Sequence, residues 1–241
     1  MPEARITLVR SVKAFFFKAK LHALTGPFSR FSKNLAYLSD LSRWCADHAN
    51  RPFTDSGSTA HVAEKRFDLY QHVFDSENLT GPIDYLEFGV ARGRWFRWWI
   101  QHNTDPGSTF VGFDTFTGLP EAWGGYGQGA FSTDGETPDI DDPRASFEAG
   151  LFQDTLGPFL ERTEPRNRMV VHLDADLYSS TLFVLTSLAP RLKPGDVLLF
   201  DEFGVPMHEY RAFMDFLSAY PFDYEVLGAV NNYLHVAMKF R

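Results

Sequence analysis

The stretch Ile83-Asp84-Tyr85-Leu86-Glu87-Phe88-Gly89-Val90-Ala91-Arg92-Gly93 decides the fold. Its apolar run 83–88 predicts a buried strand, and the run 95–102 that follows predicts a helix. Between them, Gly89 permits a tight turn, Ala91 lets a ligand approach the backbone, and Gly93 allows the helix to pack close to the sheet. A strand, a glycine turn and a helix in this order predict the nucleotide-binding beginning of a doubly wound α/β domain.

The composition limits the class of protein. A chain of 241 residues with 44% hydrophobic residues suits one globular α/β domain with an extension. Its net charge of −8 argues against nucleic acid as the main partner, because phosphate binding requires a basic surface. The single cysteine, Cys45, excludes an internal disulfide, and no apolar run is long enough to span a membrane. We therefore expect a cytoplasmic protein.

The order of patterns divides the chain at residue 80. Residues 1–80 predict a helical extension, with helices over 32–49 and 61–74 and a break of the first helix at Gly26-Pro27. Residues 81–241 alternate short apolar runs with helical patterns, which predicts a mostly parallel sheet. The last two runs surround Asn231-Asn232, which suits a hairpin and adds an antiparallel strand.

The first 35 residues are basic. They carry seven Lys or Arg against one acid, so their net charge is +6 and the other 206 residues carry −14, which together give −8. Apolar residues recur among them at helical spacing. One interpretation is a helix on an anionic membrane surface. The other is a helical arm that packs on its own domain or on a second subunit, which would make the protein a homo-oligomer.

Acidic residues follow the predicted strands, where ligands of open α/β sheets bind. Asp114 lies 25 residues beyond Gly89, where a carboxylate can accept hydrogen bonds from ribose hydroxyls, although it could instead cap a loop. Glu87 precedes the glycine turn. A carboxylate there favours the cationic S-adenosylmethionine over NAD, whose pyrophosphate it would repel.

A second group of acids ends the fourth and fifth predicted strands. Asp174, Asp201 and Glu202 would converge if these strands are neighbours, and three such carboxylates would repel one another. A divalent cation relieves this repulsion, and an all-oxygen ligand set selects Mg²⁺ or a similar hard ion. Each acid taken alone could also cap a helix.

These motifs together resemble the macrocin O-methyltransferase family. The resemblance covers roughly residues 80–240 and rests on four segments, 85–93 (YLEFGVARG), 112–121 (GFDTFTGLPE), 172–181 (HLDADLYSST) and Asp201-Glu202. It implies a seven-stranded Rossmann-like methyltransferase sheet, S-adenosylmethionine as methyl donor, a Mg²⁺ site, and transfer to a hydroxyl that is often on a sugar.

The resemblance also implies roles for individual residues. Glu87, Gly89, Ala91 and Gly93 would hold the methionine part of the donor, Asp114 its ribose, and Asp174, Asp201 and Glu202 the metal. The more distant catechol O-methyltransferases are similar around residues 150–154, which makes Phe152 and Gln153 candidates for contacting the adenine. Those enzymes have a lysine base where this chain has Leu177. Asp176 is therefore the expected base, unless it only supports the metal ligands, and His208 is a second candidate.

The acceptor is the least defined part of the prediction. Residues 122–144 form a long predicted loop, whose Trp123, Tyr126 and Phe131 could stack on a ring of a sugar or of a phenol. A catechol-like acceptor is one alternative. An NAD-dependent oxidoreductase is another, although the chain lacks the Tyr-x-x-x-Lys motif of that class. A third is a non-enzymatic domain that the basic arm tethers.

Overall fold

The computed structural model describes residues 2–55 and 57–241, so Met1 and Ser56 of the predicted extension lie outside the described residues. The helices are α1 (Pro2–Lys18), α2 (His22–His48), α3 (Lys65–Ser76), α4 (Arg94–His102), α5 (Phe152–Arg162), α6 (Tyr178–Leu188) and α7 (Glu209–Ala219). The strands are β1 (Ile83–Phe88), β2 (Thr109–Asp114), β3 (Ala145–Ala149), β4 (Arg168–Leu173), β5 (Val197–Phe200), β6 (Tyr224–Val230) and β7 (His235–Phe240).

One seven-stranded sheet organises the chain, in the order β3-β2-β1-β4-β5-β7-β6. The first five strands are parallel, and β7 is antiparallel to both β5 and β6. The predicted doubly wound, mostly parallel sheet with an antiparallel last strand is confirmed. Because the strand order reverses between β1 and β4, the ends of these two strands form the switch point at which such sheets bind ligands.

Both faces of the sheet are covered. Strand β1 shows why, since alternate side chains point to opposite faces. Tyr85 packs with α3 and α4, whereas Leu86 and Phe88 pack with α5, α6 and α7. All six residues of β1 are buried, as expected for a central parallel strand.

The break between the first two helices is at Lys20, so the predicted break at Gly26-Pro27 is wrong. Lys20 has a left-handed backbone conformation (φ 50°). The N–H of Leu21 donates to the carbonyl of Phe16 at 3.1 Å and that of Lys20 to Phe17 at 3.2 Å, which is the hydrogen-bond pattern that ends a helix. Pro27 lies in the second turn of α2 and does not end it.

The predicted extension packs on the sheet domain through its C-terminal part. Trp44 of α2 is buried and donates from Nε1 to the Tyr224 hydroxyl at 2.8 Å. Helix α3 begins at Lys65, four residues later than expected, and buries Leu69 against Gly228 of β6 and Tyr70 against His172 of β4. The domain division at residue 80 stays a prediction. No helix among the described residues is long and apolar enough to cross a membrane.

Candidate active site

A cavity of about 720 Å³ lies at the carboxyl ends of the parallel strands. The glycine turn after β1, the acids after β4 and β5, and the loop after β2 all line it. Backbone hydrogen bonds hold these strand ends together, since the N–H of Asp174 donates to Phe88, and that of Asp201 to Leu173, at 2.9 and 3.0 Å. The predicted meeting of the glycine turn with the acids is therefore observed.

Gly89 is required by its surroundings. Its φ is +96°, and a Cβ atom placed on it would lie 1.8 Å from the backbone oxygen of Asp174. Only glycine fits that conformation and that approach. Gly93 also has a positive φ of +70°, and a Cβ there would lie 2.8 Å from Pro138 of the long loop. The turn is thus packed between β4 on one side and the loop on the other.

Asp114 holds the glycine turn. Its Oδ2 accepts hydrogen bonds from the N–H groups of Val90 and Ala91 at 2.8 and 2.7 Å, and its Oδ1 accepts one from Phe116 at 2.8 Å. Each carboxylate oxygen has two lone pairs, so both acceptor sites of Oδ2 are used and one on Oδ1 remains for a ligand in the cavity, which Asp114 lines. Asp114 can therefore hold the turn and also accept a hydrogen bond from a ribose hydroxyl.

Glu87 lies beneath the cavity and does not line it. It is fully buried, its Oε2 accepts a hydrogen bond from the Tyr85 hydroxyl, and its Oε1 has no partner in the described part of the chain. Burial raises the pKa of Glu87, although hydrogen bonds from His172 and Tyr85 act against that rise. An unpartnered buried oxygen is costly, so Oε1 is the atom through which Glu87 would act on a donor bound above it.

Side chains at the ends of β4 and β5 form two groups whose ligand atoms lie within 4.8 Å of one another. One group is Asp174, Asp176 and Glu202, and the other is His172, Asp174 and Asp201. The first group is all oxygen and half-buried, and Oε2 of Glu202 lacks a partner within the described residues. Burial, then the charge of Asp201, raises the pKa of both Asp174 and Glu202. This donor set fits a hard divalent cation.

His172 is not free to bind a metal. The hydroxyls of Tyr70 and Tyr85 lie 3.0 Å from its Nε2 and Nδ1, respectively. Because Tyr85 donates its proton to Glu87, its oxygen accepts from Nδ1 of His172, and Nε2 then accepts from Tyr70. Both ring nitrogens are occupied, so the imidazole links β1 to β4 below the cavity.

Arg66 is a site residue that was not predicted from the sequence. Its guanidinium forms an ion pair with Oδ2 of Asp201 at 2.5 Å and lies 4.0 Å from the centre of the Trp95 ring. Burial would raise the pKa of Asp201, but the hydrogen bond from His235 and the charge of Arg66 outweigh it and lower that pKa to about 2. Arg66 is the only Lys or Arg among the described residues that line the cavity.

Asp176 and His208, the two predicted candidates for the base, lie in different surroundings. Asp176 lines the cavity in a left-handed conformation (φ 58°), and burial, then the charges of Asp201 and Asp114, raises its pKa to about 7. His208 lies behind it and does not line the cavity. Burial lowers the pKa of His208, which a hydrogen bond to the Asp176 backbone partly offsets.

Glu209 is a second residue that was not predicted. It is fully buried at the start of α7, and its Oε2 accepts a hydrogen bond from the Glu202 N–H at 2.8 Å. Burial, then the charge of Asp201, raises its pKa well above the usual range, and the backbone hydrogen bond from Glu202 offsets only part of that rise. Glu209 therefore holds the segment after β5 from the start of α7.

The remaining predicted residues lie on the walls of the cavity. Phe152 and Gln153 line it at the start of α5. Trp123, Tyr126 and Phe131 line it from the long loop, with the Trp123 and Tyr126 rings stacked at 5.8 Å and those of Tyr126 and Phe131 4.8 Å apart.

The fold and this arrangement of a glycine turn beside an acid cluster define a Rossmann-like methyltransferase. The family model of macrocin O-methyltransferase (TylF) matches residues 127–226, which include the acid cluster. The chain is 30% identical over 191 residues to the 8-demethyl-8-(2,3-dimethoxy-alpha-L-rhamnosyl)-tetracenomycin-C 4'-O-methyltransferase of Streptomyces olivaceus, covering 65% of this chain and 70% of that protein. It is 37% identical over 76 residues to the mycinamicin III 3''-O-methyltransferase of Micromonospora griseorubida, covering 29% of this chain and 28% of that protein.

Two solved structures share the fold. The calicheamicin methyltransferase CalS11 matches with a TM-score of 0.56 at 23% identity, over 73% of this chain and 77% of its own. The O-methyltransferase NovP matches with a TM-score of 0.56 at 21% identity, and the match covers 73% of this chain and 79% of NovP. The chain belongs to the macrocin O-methyltransferase family and is an S-adenosylmethionine-dependent O-methyltransferase. The NAD-dependent oxidoreductase and the non-enzymatic tether are thereby excluded.

Proposed function

We propose that this enzyme is Mg²⁺-dependent and methylates a hydroxyl of a sugar, free or attached to a natural product. One observation carries the proposal: a single cavity is lined by the glycine turn on one side and by a carboxylate cluster on the other. A methyl donor on the turn and a hydroxyl at the cluster would be held in adjacent positions, and such proximity supplies much of the rate of a displacement.

The donor would lie along the first half of the cavity. The backbone at Gly89, Ala91 and Gly93 would accommodate its methionine part, Asp114 its ribose hydroxyls, and Phe152 with Gln153 its adenine. The donor supplies an electrophilic methyl group on a sulfonium. Its carboxylate requires a partner in a cavity rich in acids, and Arg66 is the cation available there, with an Nε that has no partner within the described residues.

The metal would be held by Asp174 and Glu202, with Asp201, which Arg66 neutralises only in part, as the third ligand and Asp176 beside them. A bound Mg²⁺ supplies charge that lowers the pKa of a hydroxyl next to it. Asp176 would accept the proton of the acceptor hydroxyl, because its carboxylate lines the cavity next to Asp174 and Glu202. His208 would position Asp176 through the backbone contact and would not touch the acceptor.

The acceptor would lie under the long loop, where Trp123, Tyr126 and Phe131 offer faces on which a ring can stack. A sugar is favoured by the relatives, because the Streptomyces protein is named for methylation at a 4' position of a rhamnosylated compound. A release assay for S-adenosylhomocysteine across glycosides, nucleotide sugars and catechols tests the choice. Turnover of sugars above catechols supports the proposal, and turnover of catechols alone contradicts it.

A further inference from the structure

From Leu24 to Leu38, α2 carries an apolar stripe that no part of the described chain covers. Leu24, Phe28, Phe31, Leu35 and Leu38 are 72%, 66%, 69%, 53% and 48% exposed. The helix is about 40 Å long at 1.5 Å per residue, and the residues that it buries, Leu41 and Trp44, lie in its second half. The stripe thus precedes the part of the helix that is buried on the sheet domain.

The spacing of the stripe is that of a coiled coil. Its residues recur alternately four and three positions apart, which is the 3.5-residue repeat of helices that pair along a seam. At about 100° per residue they fall within a sector of roughly 80°. A narrow stripe of this kind is the seam of a helix pair, whereas a helix that lies on a core or in a membrane surface has a wider apolar face.

A second helix can cover the positions beside the stripe without breaking a hydrogen bond or burying a charge. Thr25, Ser32 and Ser39 flank it on one side, and each hydroxyl already donates to the carbonyl four residues earlier, at 3.2, 3.0 and 2.8 Å. Pro27 and Asn34 flank the other side, so the flanks carry no charge that would repel an identical helix. Burial of these flanks against a second helix leaves no hydroxyl donor unsatisfied.

The distribution of charge suits pairing with a second copy. Arg30 and Lys33 lie well away from the stripe around the helix, so they do not repel a helix that packs on it. Residues 1–35 carry +6 and the rest of the chain −14. Antiparallel pairing places the basic end of each arm beside the acidic body of the other copy, and parallel pairing brings the two basic ends together.

We infer that α2 pairs through this stripe with the same stripe of a second copy, as an antiparallel two-helix coiled coil that makes the enzyme a homodimer. The contact is two-fold symmetric, so one face serves both partners. Phe31 lies at the centre of the stripe, and Leu24 of one copy then faces Leu38 of the other. The inference does not depend on the proposed acceptor or metal.

Sedimentation velocity of the full chain tests the dimer. We expect a particle of twice the 27.4 kDa chain mass, at least a tenfold weaker association for Phe31→Glu, and no change for Ser29→Glu, which adds the same charge away from the stripe. Circular dichroism checks that both variants fold. A monomeric wild type, or a Phe31→Glu variant as dimeric as wild type, overturns the inference. A monomer that sediments with anionic vesicles would show that the stripe binds lipid instead.

Cysteine cross-linking tests the orientation. In a Cys45→Ser background, mixing Leu24→Cys with Leu38→Cys chains should give a disulfide-linked pair under mild oxidation, and Leu24→Cys alone should not. Efficient linking of Leu24→Cys to itself would show a parallel pair and overturn the antiparallel arrangement.

Discussion

Arg66 and Asp201 form a buried ion pair at 2.5 Å on the wall of the cavity, where a helix of the N-terminal extension meets the end of β5. The pair places the one described cation of the cavity among its acids. It also means that Asp201 is already partly neutralised, so that the cluster around Asp174, Asp176 and Glu202 is the part that most needs a metal ion.

Replacing Arg66 should weaken donor binding in a way that depends on the donor's carboxylate. We expect Arg66→Met to weaken S-adenosylhomocysteine by roughly 10- to 100-fold, because a charged hydrogen bond contributes about 1.5–3 kcal/mol. Methylthioadenosine, which lacks the amino-acid part, should bind equally to both proteins. Titration calorimetry measures both ligands, and Lys65→Met, next to Arg66 but outside the cavity, is the control. Equal weakening of both ligands would show that Arg66 only supports the fold.

Removal of the acid cluster should separate metal binding from donor binding. We expect Asp174→Ala to lose Mg²⁺ binding and turnover but to keep S-adenosylhomocysteine affinity within about threefold, because the donor lies on the glycine turn. Calorimetric titration with MgCl₂ measures metal binding, and titration with S-adenosylhomocysteine measures donor-site binding. Asp223→Asn removes an exposed acid far from the cluster as a control. Full activity of the wild type in saturating EDTA would rule out the metal.

Gly89 should tolerate no side chain. A Cβ atom at 1.8 Å from the Asp174 backbone, combined with a positive φ, leaves no way for the chain to relax without moving β4. We expect Gly89→Ala to lower the free energy of unfolding by about 3 kcal/mol or more, as measured by urea denaturation. Gly125→Ala adds a Cβ atom that has no neighbour within 4 Å, so the free energy of unfolding should change little. Similar stability of the two variants would mean that the turn is not so constrained.

The aromatic loop should affect the acceptor and not the donor. Trp123→Ala removes one of the two stacked rings at the mouth of the cavity, so we expect KM for the acceptor to rise about tenfold, since a stacking aromatic contributes about 0.5–1.5 kcal/mol beyond its buried area. The KM for S-adenosylmethionine, measured in the same steady-state experiment, is the internal control. A rise confined to the donor would place the acceptor elsewhere.

The catalytic edge of the sheet was predictable because parallel strands end together. Each predicted strand is followed by its acid or glycine, so that Gly89, Asp114, Asp174 and Asp201 meet once the strand order is known. The residues around them were harder to identify, because their roles depend on packing between elements distant in sequence. Glu87 illustrates this, since it is buried under the cavity with Oε2 bonded to the Tyr85 hydroxyl and is not among the residues that line the cavity.

The burial of Arg66 could have been predicted from its spacing in the sequence. It precedes Leu69, Tyr70 and Val73 by three, four and seven residues, so it shares the buried face of α3. A cation on such a face requires a buried acid as partner. Which acid it would meet depended on how α3 docks on the sheet, and that was not visible in the pattern. The helix break at Lys20 was missed for a related reason, because lysine is a poor sign of a left-handed turn.

Transfer of a ¹³C-labelled methyl group tests the central claim most directly. The acceptor would be a glycoside that also carries a free phenol, incubated with the enzyme, Mg²⁺ and S-[methyl-¹³C]adenosylmethionine. The account predicts a new methoxy signal whose long-range carbon–proton correlation leads to a sugar ring carbon, and no such signal without Mg²⁺. A correlation to the aromatic carbon, or undiminished transfer in EDTA, would contradict it.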